Sequence, residues 1–272
     1  MIGAIAGDII GSIYEGKYAK SKNIDLFTEY NQYTDDSILT IALADSILNN
    51  VNFSDKAVEY YNNYPNAGYG HMFKKWAKTK LKQPYNSWGN GSAMRVSPIG
   101  FAYNSLSEVE IRAEGSAIIT HNHPDGIAGA KAIAVAIFMA RTGAKKDKIR
   151  EYIGNTYKYD LDKPYDEIRE YNHENFIHFD LSANGTVPLA LICFLDSKDY
   201  EDCIRNVLFL GGDTDTIACM AGGIAQAYYK KIPNWIVKEV YNRLNNDLIK
   251  IIESFNNKFK LRGSLYEYTR PI

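Results

Sequence analysis

The sequence predicts a single all-α domain, and three observations support this. Apolar residues recur at the three-to-four-residue spacing of helices along most of the 272-residue chain. No series of alternating β-branched segments marks strands, and no strand–helix alternation indicates a parallel sheet. Neither an internal repeat nor a low-complexity linker divides the chain, so one domain is expected over residues 1–272.

Seven segments carry the helical pattern. Segment 35–49 places its apolar residues mainly on one stripe, which is typical of a helix packed against a core. Segment 107–119 opens on Ser107 and Glu110, which have the spacing of a capping box. Segment 126–142 is apolar nearly all round, as expected for a helix buried in the centre of a bundle. The other predicted helices are 187–196, 199–210, 216–230 and 233–255.

Composition excludes several classes of protein. The net charge is −1 at pH 7, so no bulk attraction to nucleic acid or to an anionic membrane is expected. The three cysteines lack metal-type pairing, which favours a reducing compartment over a disulfide-stapled secreted domain. The apolar N-terminus has no basic region and contains Asp8, unlike a signal peptide. No run reaches the length of a membrane span. A cytoplasmic protein is therefore expected.

The loops between the predicted helices hold the residues from which a site would be built. Glycine, asparagine, aspartate, histidine and aromatic residues gather there, and function tends to lie on loops held by a rigid scaffold. The four richest loops are 65–70, 84–91, 120–125 and 211–215.

Two acidic clusters, each at the start of a predicted helix, are the sharpest chemical signal. They have the sequences TDDS at 34–37 and GGDTDT at 211–216. Either cluster alone is typical of a helix start, because threonine caps well and first-turn carboxylates favour the helix dipole. Together they offer four carboxylates, whose mutual repulsion a divalent cation would relieve. Oxygen ligands favour Mg²⁺, Mn²⁺ or Ca²⁺ over zinc, and their number suits two ions with a bridging carboxylate.

A further acidic residue lies near the N-terminus. Gly7 and Gly11 permit close helix packing or backbone approach on either side of Asp8. Glu15 follows Asp8 by seven residues, so both would share one face of a helix that continued that far. Otherwise Glu15 is an exposed residue at the end of the helix.

Two loop segments between the acidic clusters suggest ligand binding. Segment 87–95 reads SWGNGSAMR, and a glycine-rich loop leading into a short helix can turn backbone N–H groups toward a phosphate. Trp88 can stack on a purine, although Gly-Asn-Gly is also a common turn. Segment 120–124 reads THNHP, whose two histidines lack a nearby third ligand. Hydrogen bonding to substrate or backbone is therefore predicted there in preference to zinc binding.

In this order the motifs resemble the ADP-ribosylglycohydrolase family, which includes the dinitrogenase reductase-activating glycohydrolases. The resemblance covers nearly the whole chain. It rests on Gly7-Asp8, Gly11, Glu15, TDDS at 34–37, GYG at 68–70, GNGSAMR at 89–95, THNHP at 120–124, TVP at 186–188 and GGDTDT at 211–216. It implies a compact orthogonal multi-helix bundle with two Mg²⁺ or Mn²⁺ ions in a central cleft. It also implies an enzyme that cleaves the glycosidic bond between ADP-ribose and a modified acceptor.

The resemblance assigns roles to individual residues. The implied metal ligands are Thr34, Asp35, Asp36, Asp213, Asp215 and Thr216. Asp36 or Glu15 would activate the water or protonate the leaving group, with the division of these roles left open. The implied contacts to ADP-ribose are Gly70, Trp88, Gly89, Asn90, Gly91, Ser92, Met94 and His121.

Two departures from the family pattern bear on these expectations. Ser37 stands where threonine is usual but keeps a hydroxyl. Asp125 follows Pro124, where a small apolar residue is commoner nearby; we expect Asp125 to cap the following helix, and otherwise to alter acceptor preference. Segments 16–33 and 143–186 are interpreted as loops that determine the acceptor, because they frame the shared motifs.

The acceptor itself stays open at this point. The expected partner is an ADP-ribosylated protein, and arginine-linked ADP-ribose is the first acceptor to consider. Alternatives are a small conjugate or nucleotide, such as ADP-ribosyl-serine or O-acetyl-ADP-ribose. A non-catalytic relative that only binds ADP-ribose is a further alternative.

Overall fold

The computed structural model describes residues 1–175 and 179–261. Within them it contains fifteen α-helices and no strands beyond two isolated bridges, so the all-α prediction is confirmed. In chain order the helices are α1 (Ile2–Gly11), α2 (Asp35–Asn49), α3 (Phe53–Asn63), α4 (His71–Lys78), α5 (Gly91–Met94), α6 (Ser97–Ala102), α7 (Leu106–Ala117), α8 (Pro124–Arg141), α9 (Lys146–Tyr157), α10 (Tyr165–Asn175), α11 (Ala183–Leu195), α12 (Tyr200–Leu210), α13 (Thr214–Tyr229), α14 (Asn234–Arg243) and α15 (Asn246–Lys258).

Helices α1 and α13 pack together at the centre of the molecule. Every residue of α1 is buried, and so is nearly all of α13. A Cβ atom on Gly7 would lie 2.0 Å from the carbonyl oxygen of Ala218, and one on Gly11 would lie 2.4 Å from that of Thr214. Only glycine allows this approach, so the two backbones touch. The contact brings Asp8 to the start of α13, and the close packing expected from the glycines is observed.

The cluster of buried apolar residues extends from Met1 to Phe255. The expectation of one domain over the whole chain stays a prediction. In the described part of the chain, no helix is both long enough and apolar enough to span a membrane.

Helix α2 begins and ends where the sequence predicts. Thr34 is its N-cap and its side chain accepts a hydrogen bond from the backbone N–H of Asp36 at 3.2 Å. Asn50 ends the helix in the left-handed conformation, with φ 52°, which asparagine tolerates better than most residues. Both end residues lie next to the apolar stripe in the sequence, so the local sequence was sufficient to predict the bounds of α2.

Two details of the helix prediction are wrong. Segment 233–255 is not one helix, because α14 ends at Arg243 and α15 starts at Asn246. Asn245 caps α15 by accepting from the N–H of Leu248 at 3.0 Å, and the apolar stripe continues across the break. Helix α7 is capped by Ser105, not Ser107, through the N–H of Glu108 at 3.2 Å.

The two segments interpreted as loops differ from each other. Segment 16–33 contains no helix, as predicted, whereas 143–186 contains α9 and α10 and the first turn of α11.

The expectation that Asp125 caps α8 is wrong. His123 is the N-cap, and its Nδ1 accepts a hydrogen bond from the backbone N–H of Asp125 at 3.2 Å.

Candidate metal centre and substrate loop

The fold brings the starts of α2 and α13 together as one acidic centre. Carboxylate oxygens of Asp8, Asp36 and Asp215 lie within 4.8 Å of one another, and so do those of Glu15, Asp213 and Asp215. Asp215 belongs to both groups and therefore joins them. Of these residues, only Glu15 is exposed; the other four side chains are at most 5% exposed.

Asp8 holds the start of α2 in place. Its carboxylate accepts hydrogen bonds from the backbone N–H and hydroxyl of Thr34 at 2.9 and 2.7 Å. It also accepts from the backbone N–H of Ser37 at 3.1 Å and from the Ser37 hydroxyl. The hydroxyl kept by Ser37 therefore has a definite use. Sequence reasoning assigned Asp8 no role of its own, although a lone carboxylate inside an apolar helix was a usable signal.

The start of α13 is held by a different segment. Asp213 occupies the N-cap position but makes no capping hydrogen bond with its side chain. Its carboxylate instead accepts from the Asn90 side-chain amide at 2.6 Å. Gly211 and Gly212 have φ angles of 83° and 92°, a conformation that favours glycine. These two residues turn the chain so that Asp213 can face the centre.

Glu15 reaches the centre through a loop contact. Helix α1 ends at Gly11, so Glu15 does not share a helical face with Asp8; it lies in the following turn and is exposed. The backbone N–H of Gly16 donates to the carbonyl of Gly212 at 2.9 Å, which ties this turn to the start of α13. Loss of surrounding water, followed by the charge of Asp215, raises the pKa of Glu15.

The carboxylates of the centre repel one another. Burial raises the pKa of Asp8 to about 7 and that of Asp35 to about 8, and the negative charge of Asp215 is the next cause in both. Burial and then Asp215 also raise the pKa values of Asp36 and Asp213. No ion pair in the described residues involves this centre. The carboxylates of the centre therefore have no ion-pair partner among the described side chains.

The donor set fits a divalent cation. Oδ2 of Asp36 accepts from the hydroxyl of Thr216 at 3.2 Å and lies 3.3 Å from the hydroxyl of Thr34, whose proton goes to Asp8. Oδ1 of the same carboxylate is buried and has no hydrogen-bond partner among the described residues. Such an atom is costly unless something binds it. Asp35, half-buried beside Asp36 at the first turn of α2, offers a further oxygen. The available ligands are oxygens, which hard cations prefer.

The glycine-rich loop lies against the acidic centre through Asn90. Its backbone pairs with the chain before α11: the N–H of Asn90 donates to Leu181 at 2.9 Å, and the carbonyl of Trp88 accepts from Ala183 at 3.0 Å. The Trp88 side chain is 57% exposed, which leaves its ring accessible. Sequence reasoning placed Asn90 near the substrate but did not predict its bond to Asp213.

The remaining predicted substrate contacts differ in their exposure and surroundings. Ser92 and Met94 are buried: the Ser92 hydroxyl donates to the carbonyl of Gly126 at 2.7 Å, and Met94 belongs to the hydrophobic core. His121 lies directly under the loop, and its Nε2 would be 3.0 Å from a Cβ on Gly91. Gly70 is exposed at the N-cap of α4, with open space where its Cβ would be.

Comparison with known proteins gives consistent results. The family model described as ADP-ribosylglycohydrolase matches residues 1–264. The chain is 28% identical to ADP-ribosylhydrolase ARH3 of Mus musculus, over 84% of this chain and 82% of that protein. It is also 28% identical to ADP-ribosylhydrolase ARH3 of Homo sapiens, over 84% of each chain. A solved structure named "ADP-ribosylglycohydrolase-related protein complex" superposes with a TM-score of 0.70 at 23% identity, over 96% of this chain and 95% of that one, and shares the fold.

Proposed function

Because the chain belongs to the ADP-ribosylglycohydrolase family and is a glycosyl hydrolase, we propose that it releases ADP-ribose from a modified acceptor in a metal-dependent reaction. One observation carries the metal dependence. Four carboxylates are buried together with no cationic partner in the described residues, and one buried oxygen of Asp36 has no hydrogen bond. A site of this kind is compatible with the folded state when a cation binds it.

We assign two divalent cations, Mg²⁺ or Mn²⁺, to this centre. The residues that would hold them are Thr34, Asp35, Asp36, Asp213, Asp215 and Thr216. Bound cations of this class supply Lewis acidity and lower the pKa of a bound water. Asp8 acts behind these ligands, because its hydrogen bonds go to Thr34 and Ser37 and fix the start of α2.

We assign the proton transfers to Glu15, which is exposed, and Asp36, which is buried. Cleavage of a glycosidic bond develops positive charge on the sugar, which nearby carboxylates stabilise. Glu15 is exposed at the edge of the centre and can exchange its proton with solvent, so it suits protonation of the leaving group. Asp36 is buried against Thr34 and Thr216 and suits orientation of the attacking water.

The glycine-rich loop would hold the rest of ADP-ribose. Gly70, Gly89 and Gly91 carry no side chain of their own, so their backbone can approach a diphosphate closely. The exposed ring of Trp88 suits stacking on adenine. Because Ser92 and Met94 are buried, their contribution would come from the backbone rather than from their side chains.

The comparisons also bear on the choice of acceptor. The relatives named above are ADP-ribosylhydrolases rather than dinitrogenase reductase-activating enzymes, so the arginine expectation gains no support from them. We therefore place O-linked conjugates, ADP-ribosyl-serine and O-acetyl-ADP-ribose, ahead of arginine-linked ADP-ribose. The 143–186 segment is a candidate for acceptor recognition because Leu181 and Ala183 pair with the backbone of the glycine-rich loop at Asn90 and Trp88.

A panel of conjugates tests the proposal. The protein is incubated with ADP-ribosyl-serine peptide, ADP-ribosyl-arginine and O-acetyl-ADP-ribose, with Mg²⁺, with Mn²⁺ or with chelator, and released ADP-ribose is quantified by chromatography. We expect metal-dependent release from at least one conjugate. Full turnover in chelator would overturn the metal assignment, and binding of ADP-ribose with no turnover of any conjugate would favour the non-catalytic alternative.

A further inference from the structure

Arg95 is a buried cation without an acidic partner. It is 1% exposed, and no carboxylate in the described part of the chain lies within ion-pair distance of its guanidinium. Nη2 donates to the carbonyl of Ser116 at 3.0 Å and to the hydroxyl of Thr120 at 2.9 Å. Burial lowers the pKa of Arg95 to about 10, which leaves it charged at neutral pH. An arginine can only donate hydrogen bonds, so Thr120 must accept from it.

The hydrogen-bond count at Thr120 then fixes where its own proton goes. A hydroxyl has one proton and two lone pairs, and Arg95 takes up a lone pair. The Thr120 oxygen lies 2.7 Å from Nδ1 of His121, and its hydroxyl is also hydrogen-bonded with the phenol of Tyr85. If Thr120 donated to the phenol, the proton of the phenol itself would have no acceptor among the described residues. If the phenol donates to Thr120, both protons have acceptors: the threonine proton goes to Nδ1, which must be unprotonated to accept it.

His121 is neutral in this setting. Its side chain is 5% exposed, and burial followed by the charge of Arg95 lowers its pKa well below the usual value. A neutral imidazole with an unprotonated Nδ1 carries its proton on Nε2. Nε2 faces the glycine-rich loop: it would lie 3.0 Å from a Cβ on Gly91 and 3.8 Å from one on Gly89. The described residues provide no hydrogen-bond partner for it.

We propose that Arg95 and Thr120 are positioning residues that hold His121 as the neutral Nε2–H tautomer, so that it offers one hydrogen-bond donor beneath the Gly89–Gly91 loop. The donor would bind an oxygen atom of the ligand. That this ligand is ADP-ribose rests on the proposed function, whereas the tautomer does not. In the reverse tautomer Thr120 would donate to the phenol of Tyr85, and the phenol proton would be left without an acceptor among the described residues.

Side-chain ¹⁵N NMR of the full protein tests the tautomer directly. His121→Asn identifies the relevant signals among the five histidines of the chain. We expect the wild-type protein to show the Nε2–H pattern for His121 at neutral pH. An Nδ1–H pattern or a protonated ring would overturn the proposal. Thr120→Ser keeps the hydroxyl and should keep the Nε2–H pattern. Thr120→Val should show a mixture of the two tautomers. An unchanged pattern in folded Thr120→Val would contradict the proposed role of Thr120.

Kinetics distinguish positioning from a purely structural role. Loss of one oriented hydrogen bond should raise KM for an ADP-ribose conjugate about tenfold in Thr120→Val. It should leave kcat within about twofold, because His121 binds the ligand rather than reacting. Thr120→Ser should stay near wild type in both. A fall in kcat at constant KM would overturn the binding role. If no conjugate is turned over, the NMR result on the free protein still decides the tautomer, so the two proposals fail separately.

Discussion

The starts of α2 and α13 each place two aspartates and a threonine at the mouth of a helix, but they are held in place by different means. The α2 start is capped by Thr34 and fixed by hydrogen bonds to Asp8 from the adjacent α1. The α13 start has no side-chain cap, and its Asp213 is held by Asn90, which is 123 residues away in the sequence.

The difference helps to distinguish residues that stabilise a helix from residues that serve the site. At α2 the cap by Thr34 stabilises the helix and also fixes the acidic residues beside it, so these residues are consistent with either role. At α13 the N-cap carboxylate of Asp213 makes no capping hydrogen bond and faces the centre, while Asp215 accepts from the backbone N–H of Thr216 at 2.9 Å. Asp213 therefore contributes less to its helix than Thr34 does, as the proposed role of the α13 start in cation binding requires.

The largest expected effect comes from Asp215, which joins both groups of carboxylates. Asp215→Asn should lower kcat/KM about a thousandfold or more, because Asp215 is a proposed ligand of catalytic cations and such ligands contribute several kcal/mol to the transition state. In chelator the variant should melt at a higher temperature than wild type, since a buried like charge is gone. Asp55→Asn, at an exposed first-turn position of α3, is the control. Retained activity in Asp215→Asn would remove the α13 start from the site.

Asp8→Asn should have the next largest effect. An amide cannot accept all the hydrogen bonds that the carboxylate accepts from Thr34 and Ser37, so the start of α2 should shift. We expect metal affinity or activity to fall between about 10- and 100-fold, the usual range for groups that orient metal ligands. Metal-activation curves measure this. Ser37→Ala removes one of these hydrogen bonds and should reduce metal affinity or activity less than Asp8→Asn does. An equal or larger loss in Ser37→Ala would mean that Asp8 does not act through the α2 start.

Asn90→Ala tests the long-range support of α13. Without the amide, Asp213 loses its 2.6 Å hydrogen bond, and the cation concentration for half-maximal activity should rise about tenfold. Asn122→Ala is the matched control, because Asn122 holds the backbone of Asn86 at 2.8 Å on a neighbouring loop without touching the acidic centre. Equal activation constants in both variants would show that α13 needs no such support.

The smallest expected effect is the pH dependence of the free energy of unfolding in the metal-free protein. The folded-state pKa values of about 7 for Asp8 and about 8 for Asp35 lie above the ordinary value of 3.8. The folded protein therefore binds more protons, and stability should fall as pH rises from about 4 toward 8. In chelator, the melting temperature should be several degrees lower at pH 8 than at pH 6, and Mg²⁺ should stabilise more at pH 8. A weaker slope is expected in Asp215→Asn; identical slopes would contradict the electrostatic cause.

The sequence predicted features that depend on neighbouring residues better than those that depend on distant ones. The bounds of α2 followed from Thr34 and from its apolar stripe, and the acidic clusters were visible as motifs. The meeting of Asp8 with Asp215 depends on the contact between α1 and α13, which Gly7 and Gly11 only permit. The bond from Asn90 to Asp213 had no sequence signal, because nothing local distinguishes it from an ordinary turn asparagine.

The errors have a similar cause. The break between α14 and α15 was missed because the apolar stripe continues through Leu244 and Leu248, both buried. Helices α9 and α10 were missed because they are strongly polar, with few apolar residues to mark a period. Glu15 reached the centre by a backbone contact between two loops, a contact that helical periodicity cannot represent.

The glycine contact between α1 and α13 also matters for the interpretation of natural sequence variants. Gly7 takes no part in the chemistry, yet an alanine there would need the Ala218 carbonyl to move, because its methyl carbon would start 2.0 Å away. Spreading the two helices would carry Asp8 away from Asp215. We therefore expect a variant at Gly7 to inactivate the enzyme as thoroughly as a variant at a proposed metal ligand, while every residue named in the acidic centre remains intact.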